Sequence, residues 1–365
     1  MKVAIVTNNP APYRVPVFNL IKKFDLHVIY CCRMENNRSW DLSKFEYNST
    51  FLVESYKENR DGYNYRHNNI DVIKSLQFIK PDIVITTGFN PTHIYSFIWT
   101  VFNKKRHICM TDGTIKSENG LSLLHKFIRK IFIFKSYSFI AASNGGIDLY
   151  RSYGVPSKKI FKSQLCANND IFNLSKNFNE REYDLLYSGQ FHERKLPKFF
   201  VQICIEISKL RKGKCKVLLI GDGPLRKSVI ESLKSENIDY TYAGFVKQPM
   251  LPSYYASAKL LLFTTRMDPW GVVANESLAA GTPVITTPDA GVANEIVVNG
   301  LTGYICEPVL ELWVSAILKL LSDENHWNFF SRNAKEIIKS YSYSNAATGI
   351  EEACMWALKN LDSRQ

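Results

Sequence analysis

The sequence predicts an α/β protein that contains two doubly wound parallel sheets. The first half of the chain alternates short apolar segments with helical segments, and the second half repeats that alternation. With 365 residues the chain is long enough to form two hydrophobic cores. A polar, irregular stretch at 168–179 separates the two series, so we expect one domain over 1–172 and another over 173–340.

The first domain is expected to begin with a buried strand. Its strand candidates share an apolar, β-branched composition and lie at 2–8, 26–32, 82–88, 107–113 and 139–143. Helical segments fall between them, for example at 15–23 and 70–79. The first strand is followed by the sequence NNPAPYR instead of G-x-G-x-x-G, which argues against a nicotinamide-binding domain.

The second domain repeats the pattern, with strand candidates at 184–190, 216–223, 239–245, 259–265 and 283–287. The segment 272–280 contains good helix formers. We expect Gly281 to end this helix in the left-handed conformation, because Pro283 prevents its continuation.

The stretch 268–287 is the one around which the chain is organised. A strand that leads through a loop into a helix N-terminus is a common place to bind an anion, in the crevice outside the strand end. Asp268 lies before this helix, and Glu276 lies about one turn into it. Two carboxylates thus bracket this turn, and carboxylates are good acceptors for sugar hydroxyls.

The same stretch resembles the C-terminal signature of the retaining GT-B glycosyltransferases, above all family 4, the glycosyl transferases group 1. Their pattern is Glu-x7-Glu followed by Ala-x-Ala-x-Gly-x-Pro-Val-Ile. Glu276 matches the second acid, the sequence SLAAGTPVI at 277–285 fits closely, and Asp268 stands in place of the first Glu. The resemblance covers about 184–305, and the segment PAPYRVPVF at 10–18 is similar to members that assemble polysaccharides.

A second match follows the first strand of the second domain. The sequence SGQFHERK at 188–195 resembles the family segment in which Arg and Lys grip the donor diphosphate. Gly189 and Lys195 match, whereas Gln190 replaces the Arg and offers only a neutral donor. Arg194 is a candidate substitute for the missing Arg side chain. If a helix begins here, however, we expect Arg194 to point away from Lys195.

A third match is the sequence GDGP, which resembles the Gly-x-Gly-Pro loop near the donor nucleotide. Its glycines, Gly221 and Gly223, permit close approach of the backbone to a ligand. In the family, backbone groups after the next strand meet the base, which assigns Phe245 and Val246 to donor binding.

The resemblance implies a GT-B fold, in which two Rossmann-like doubly wound domains face each other across a cleft, with residues 341–365 packing back on the first domain. It implies retaining transfer from a nucleotide-sugar, with UDP as the expected nucleotide, and no metal or other cofactor. Glu276 would hold the ribose hydroxyls and Asp268 those of the transferred sugar. The diphosphate would be held by Lys195 and by the amides of a short run, Trp270, Gly271, Val272 and Val273.

The acceptor side is expected on the first domain. Asp112 ends a strand candidate at a position that faces the crevice and would accept a hydrogen bond from the acceptor hydroxyl; a loop cap is the alternative. Asn9, Tyr13 and Arg14 follow the first strand and are candidates for lining this side. The acceptor class that we favour is a lipid-linked glycan in capsule, O-antigen or exopolysaccharide synthesis.

Two other functions fit the same fold. A sugar-nucleotide epimerase is one, although such enzymes lack the acid-x7-acid element. A non-catalytic partner protein is the other, because the chain departs from the family pattern at Asp268 and Gln190.

The charge of the chain is unevenly distributed. Of its net charge of +12, residues 1–172 carry +11 and residues 173–365 carry +1. This asymmetry suggests a polyanionic partner of the first domain, nucleic acid or anionic lipid, and a merely solvated basic surface is the alternative. No recognisable module indicates nucleic acid, so an anionic membrane surface is the partner that we expect. The basic, aromatic segment 121–139 is the candidate membrane helix; a buried helix with one basic edge is the alternative.

Cysteines and hydropathy indicate the compartment. The eight cysteines are scattered, which indicates reduced thiols. The histidines are dispersed as well and none pairs with Cys or His at ligand spacing, so we expect no zinc site. We expect no signal peptide and no transmembrane helix. The protein is therefore expected in the cytoplasm, peripheral at the inner face of the cytoplasmic membrane.

Overall fold

The computed structural model describes residues 1–36, 44–59, 65–174, 176–212 and 215–359. The chain divides into two compact units. Unit 1 comprises Met1–Leu165 and Tyr343–Gln365, and unit 2 comprises Cys166–Ser342. The division between the units thus lies at 165/166, a few residues before the expected boundary at 172/173.

Unit 1 contains a seven-stranded parallel sheet and a small antiparallel hairpin. Its strands are β1 (Lys2–Thr7), β2 (Asp25–Tyr30), β3 (Asn48–Phe51), β4 (Tyr56–Glu58), β5 (Tyr65–His67), β6 (Ile83–Thr86), β7 (Arg106–Thr111), β8 (Ser138–Ala141) and β9 (Ile160–Lys162). Its first helices are α1 (Val15–Asn19), α2 (Val72–Ile79), α3 (Pro91–Phe102), α4 (Ile115–Glu118), α5 (Leu123–Lys135) and α6 (Asn144–Ser152).

The sheet order β3-β2-β1-β6-β7-β8-β9 reverses direction between β1 and β6. Such a reversal opens a crevice outside the carboxyl ends of the strands, where ligands of doubly wound folds bind. All four residues of β6 are buried, which is why its sequence is a continuous apolar run instead of an alternating pattern.

Unit 2 has a six-stranded parallel sheet of the same design. Its strands are β10 (Tyr183–Ser188), β11 (Lys216–Ile220), β12 (Asp239–Gly244), β13 (Ala258–Phe263), β14 (Val284–Thr286) and β15 (Gly303–Ile305). Its helices are α7 (Asn169–Phe172), α8 (Pro197–Leu210), α9 (Arg226–Ser235), α10 (Leu251–Ala256), α11 (Val272–Ala279), α12 (Leu310–Ser322) and α13 (Glu324–Ile338). The order β12-β11-β10-β13-β14-β15 is that of the dinucleotide-binding Rossmann fold, with the reversal between β10 and β13.

Helix α11 ends as the sequence predicts. Gly281 adopts a φ of +67°, and an added Cβ there would lie 2.7 Å from Lys335 Cε. The buried Arg181 donates to the carbonyls of Ala280 (2.9 Å) and Gly281 (3.3 Å) and to Thr282 Oγ1 (2.6 Å). A guanidinium at a helix C-terminus complements the helix dipole, so Arg181 fixes the position of α11.

The final helix, α14 (Tyr343–Lys359), belongs to unit 1. Ser138 Oγ in β8 donates to its Ala353 carbonyl at 2.8 Å. After α1, the backbone amides of Lys22 and Lys23 donate to the nearly buried Glu351 carboxylate at 3.2 and 3.3 Å. Within the described residues, no helix is long and apolar enough to cross a membrane.

Candidate active site

Glu276 lies in the interior of unit 2, on the second turn of α11, and only 8% of its surface is exposed. The Tyr255 hydroxyl donates to Glu276 Oε2 at 2.7 Å and is also 2.8 Å from Ser188 Oγ. Burial raises the pKa of Glu276 to about 7, and the hydrogen bond from Tyr255 partly opposes that shift. The carboxyl group therefore changes charge near neutral pH.

Asp268 is held by two cations in the loop after β13. Lys195 Nζ contacts Asp268 Oδ2, and Arg194 Nη1 lies 3.3 Å from the same oxygen. The other oxygen accepts a hydrogen bond from the Trp270 amide at 3.0 Å. Burial opposes ionisation, but the Lys195 and Arg194 charges outweigh it and lower the pKa of Asp268 below its ordinary value.

This arrangement corrects our expectation for Arg194. Residues Glu193–Lys195 form a single 3-10 turn, and Leu196 then adopts a left-handed φ of 48° before α8 begins. The side chains of Arg194 and Lys195 converge from this turn on one carboxylate instead of diverging.

The N-terminus of α11 lies beside this cluster. Gly271, the residue before the helix, has a φ of +106°, and no side chain caps the first turn formed with Val272 and Val273. An added Cβ on Gly271 would lie 2.3 Å from the Phe263 ring, and Lys195 Nζ lies 4.5 Å from the centre of that ring. The positive end of a helix dipole therefore adjoins the two cations.

Trp270 contributes its amide to the site and its side chain to the core. The indole is buried, donates from Nε1 to Asn275 Oδ1 at 2.7 Å, and stacks on Tyr341 at 5.8 Å. The ring thus fixes the loop that places the backbone before α11.

The glycines of the donor-binding prediction pack against one another. An added Cβ on Gly221 would lie 1.9 Å from the Gly189 carbonyl oxygen, and one on Gly223 would lie 2.7 Å from the Phe191 amide nitrogen. Gly189 itself has nothing within 4 Å of that position. Gly221 and Gly223 are therefore required for contact between two loops of the protein, whereas Gly189 leaves open space.

The remaining donor-side candidates lie at the same edge of the sheet. Gln190 follows β10 and is half-buried, with its carbonyl accepting from the Tyr187 hydroxyl at 3.0 Å. Phe245 and Val246 follow β12; the Phe245 side chain is 56% exposed, and Val246 is half-buried. The Gly221 amide donates to the Gly244 carbonyl at 2.8 Å, which joins this loop to the glycine loop.

In unit 1 the structure brings together two of the acceptor-side candidates. Arg14 Nη2 lies 2.9 Å from Asp112 Oδ1, and the Arg14 side chain is only 9% exposed. Arg14 also donates to the carbonyl and the hydroxyl of Ser163, at 3.1 and 3.3 Å. Asp112 is therefore half-exposed and anchored on a buried guanidinium, and Asn9 and Tyr13 are half-buried in the loop after β1.

Three residues that position the site were missed or misplaced from the sequence. Tyr255 donates to Glu276, and Ser188 contacts the Tyr255 hydroxyl, but the sequence analysis assigned neither side chain a role in the site. Arg194 was placed on the wrong side of its turn. Among the described residues no group of three or more His, Cys, Asp or Glu side chains is arranged to hold a metal ion.

Residues 169–337, which make up most of unit 2, match the family model of glycosyl transferases group 1. The chain is 28% identical over 176 residues to N-acetyl-alpha-D-glucosaminyl L-malate synthase of Bacillus anthracis, covering 47% of this chain and 45% of that protein. It is 25% identical over 181 residues to GalNAc-alpha-(1->4)-GalNAc-alpha-(1->3)-diNAcBac-PP-undecaprenol alpha-1,4-N-acetyl-D-galactosaminyltransferase of Campylobacter jejuni, covering 49% and 50%. The matched stretches span about half the length of these relatives.

The fold of the whole chain is similar to a solved structure. Anabaena HepE in complex with UDP superposes with a TM-score of 0.77, at 12% identity, over 97% of this chain and 100% of that one. Such a low identity supports only the fold, and the expected GT-B fold class is thereby confirmed.

Proposed function

Residues 169–337 of this chain match the family model of glycosyl transferases group 1, and from this match we propose that the protein is a retaining glycosyltransferase. It transfers a sugar from a nucleotide-sugar, with UDP as the nucleotide, to a glycan acceptor. The observation on which this rests is the cluster of Lys195, Asp268 and the N-terminus of α11, beside the strand reversal of unit 2. The UDP bound by HepE supports the choice of nucleotide.

The donor roles follow from the chemistry of each group. The Glu276 carboxylate accepts hydrogen bonds from the ribose hydroxyls, and Asp268 accepts them from the transferred sugar. Lys195 and the amides at the start of α11 stabilise the negative charge that develops on the leaving diphosphate. These groups are part of the protein, so we propose that transfer proceeds without a metal ion.

The acceptor binds unit 1 beside Asp112. The Arg14 guanidinium lies 2.9 Å from this carboxylate and fixes its orientation. A half-exposed carboxylate in a fixed orientation accepts a hydrogen bond from the acceptor hydroxyl and orients it for attack. The undecaprenol-linked substrate in the name of the Campylobacter relative supports a lipid-linked glycan, in surface-polysaccharide synthesis, as the acceptor class.

The exposed face of α5 is the proposed membrane contact of unit 1. Leu124, Phe127, Ile131 and Phe134 are exposed at helical spacing along one stripe, with the exposed Leu123 beside them. Phe132 is the one buried residue of α5, so this helix is not the buried helix with one basic edge that was the alternative for the segment 121–139. An apolar stripe flanked by lysines is the pattern of a helix that lies in a membrane interface.

The charge of the units agrees with this surface. Unit 1 holds 26 Lys and Arg against 15 Asp and Glu, whereas unit 2 holds 20 against 19. The lysines of α5 are Lys126, Lys130 and Lys135. Arg129 is excluded from the membrane set, because it pairs with Glu118 at 2.9 Å and lies 4.3 Å over the Phe89 ring. We propose that the protein acts in the cytoplasm, peripherally bound at the membrane.

Hydrolysis of a panel of nucleotide-sugars in the absence of acceptor tests the activity. The wild type is expected to release a nucleoside diphosphate from one donor, and Glu276→Gln to bind that donor about 10- to 100-fold more weakly, as for a lost charged hydrogen bond. The exposed Glu311→Gln on α12 is the control and is expected to behave as the wild type. Binding without turnover of any donor would favour a non-catalytic partner, and C2 inversion of the sugar would favour an epimerase.

A further inference from the structure

The Arg194 guanidinium lies beside the Lys195 ammonium in the loop after β10. Both side chains are largely shielded from solvent, with 21% and 14% of their surfaces exposed. Both cations contact the single oxygen Oδ2 of Asp268, and Arg194 Nη1 also donates to the Met267 carbonyl at 2.8 Å. The turn that aligns them is fixed by hydrogen bonds from the Arg266 amide (2.8 Å) and from Thr265 Oγ1 (3.2 Å) to the Arg194 carbonyl.

Arg194 and Lys195 converge on one carboxylate beside the N-terminus of α11, where no side chain caps the helix. An anion that enters this corner therefore meets two cations and the positive end of a helix dipole. At 190, where the family pattern has Arg, this chain has a neutral glutamine, which cannot supply a second positive charge.

We propose that Arg194 is the second cation that binds the donor diphosphate, in place of the arginine that Gln190 replaces. This inference rests on the proposed function and assigns a residue within its site. In the unliganded protein Asp268 is the counter-ion of Arg194 and Lys195. When the diphosphate binds, its oxygens replace Asp268 as partner of the two cations, and the released carboxylate accepts hydrogen bonds from the sugar hydroxyls.

Guanidinium geometry favours this role. Arginine presents its N–H groups in a planar fork that matches phosphate oxygens, whereas a lysine ammonium acts as a point charge. Lys195 and Arg194 together therefore provide both charge and orientation from adjacent positions in one tight turn. The hydrogen bonds from the Arg266 amide and from Thr265 Oγ1 end on the Arg194 backbone carbonyl, so they survive replacement of its side chain.

The test compares binding of a nucleoside diphosphate with binding of its parent nucleoside. Calorimetry identifies which of UDP, GDP and ADP the wild type binds best, and the same titration is then made with that diphosphate and with the matching nucleoside. We expect Arg194→Ala to weaken diphosphate binding about 10- to 100-fold and to leave nucleoside binding unchanged. Lys198→Ala is the control, since Lys198 is 65% exposed and pairs only at 3.5 Å with Glu193.

A rescue variant separates charge from loop structure. If a second cation is what the site needs, Gln190→Arg introduced together with Arg194→Ala restores part of the lost diphosphate affinity. Equal weakening of diphosphate and nucleoside by Arg194→Ala would assign the residue a structural role, and no weakening of either would overturn the inference. A wild type that binds none of the three diphosphates and hydrolyses no donor would instead overturn the proposed function itself.

Discussion

Binding of the nucleotide-sugar should weaken as the pH falls below 7, through Glu276. The pKa of this buried carboxyl group is about 7 in the unliganded protein. Only the ionised group accepts hydrogen bonds from both ribose hydroxyls, so donor binding favours ionisation and releases a proton. At pH 5.5 only about 3% of Glu276 is ionised, against about 90% at pH 8, which corresponds to a loss of affinity of up to about 30-fold.

Titration calorimetry with UDP-glucose measures the pH dependence of the affinity. UDP-glucose is a suitable ligand because its diphosphate diester has no group that titrates between pH 5.5 and pH 8. The Glu276→Gln protein cannot change charge there, so its weaker affinity should be independent of pH. The hydrogen bond from Tyr255 lowers the pKa of Glu276. Tyr255→Phe should therefore move the midpoint of the binding curve to higher pH, whereas Tyr254→Phe, its neighbour on α10, should not.

Two results would refute this reasoning. One is a wild-type affinity that changes by less than about threefold between pH 8 and pH 5.5, since a group with a pKa near 7 must produce a larger change. The other is an equal pH dependence in Glu276→Gln, which would assign the titration to a different group.

Three further predictions concern the leaving group, the membrane and the core. Lys195→Ala should lower kcat by more than it raises KM, and activity should survive EDTA; loss with EDTA and recovery with Mg²⁺ would contradict the electrostatic role of Lys195. Changing the three α5 lysines to Ser should reduce sedimentation with anionic vesicles at low salt without changing nucleotide affinity, because each lysine contributes about 1 kcal/mol to binding of an anionic surface. If the wild type bound neutral and anionic vesicles equally, the proposed electrostatic membrane contact would be excluded. Gly349→Ala should lower the free energy of unfolding by about 1–3 kcal/mol, because the added Cβ would lie 1.9 Å from the Lys162 carbonyl oxygen. Gly120→Ala is the control and should change the free energy of unfolding little, because a Cβ there would have nothing within 4 Å.

The central strands could be predicted because burial on both faces gives them uninterrupted apolar sequences. β6 and β13 are of this kind. The strands that the sequence analysis missed are short or peripheral, namely β3, β4, β5, β9 and β15. β3, for example, has the sequence NSTF and pairs only with β2 at the edge of the sheet, so its residues carry little hydrophobic signal.

The sequence predicts at which edge of the sheet the site lies, but it does not predict which side chains contact one another there. Lys195 and Asp268 follow strand ends and Glu276 lies on the second turn of a helix, and those positions can be predicted from the sequence. The position of the Arg194 side chain could not be predicted, because the left-handed residue that ends its 3-10 turn is Leu196 and not a glycine, which would have indicated a turn in the sequence. Tyr255 could not be assigned, because its contact with Glu276 joins residues 21 positions apart.

Because α14 belongs to unit 1, the unit that begins the chain is completed only after unit 2 has been synthesised. On the ribosome, the strands that α14 packs against emerge early, and the residues that cover them are translated only after unit 2 is complete. Until then the apolar surface that receives the α14 side chains stays exposed. Unit 2, which is continuous in sequence, is free to fold first, although domains generally fold from the N-terminus during synthesis. A polypeptide released before residue 343 would carry a finished second unit joined to a first unit without its last helix.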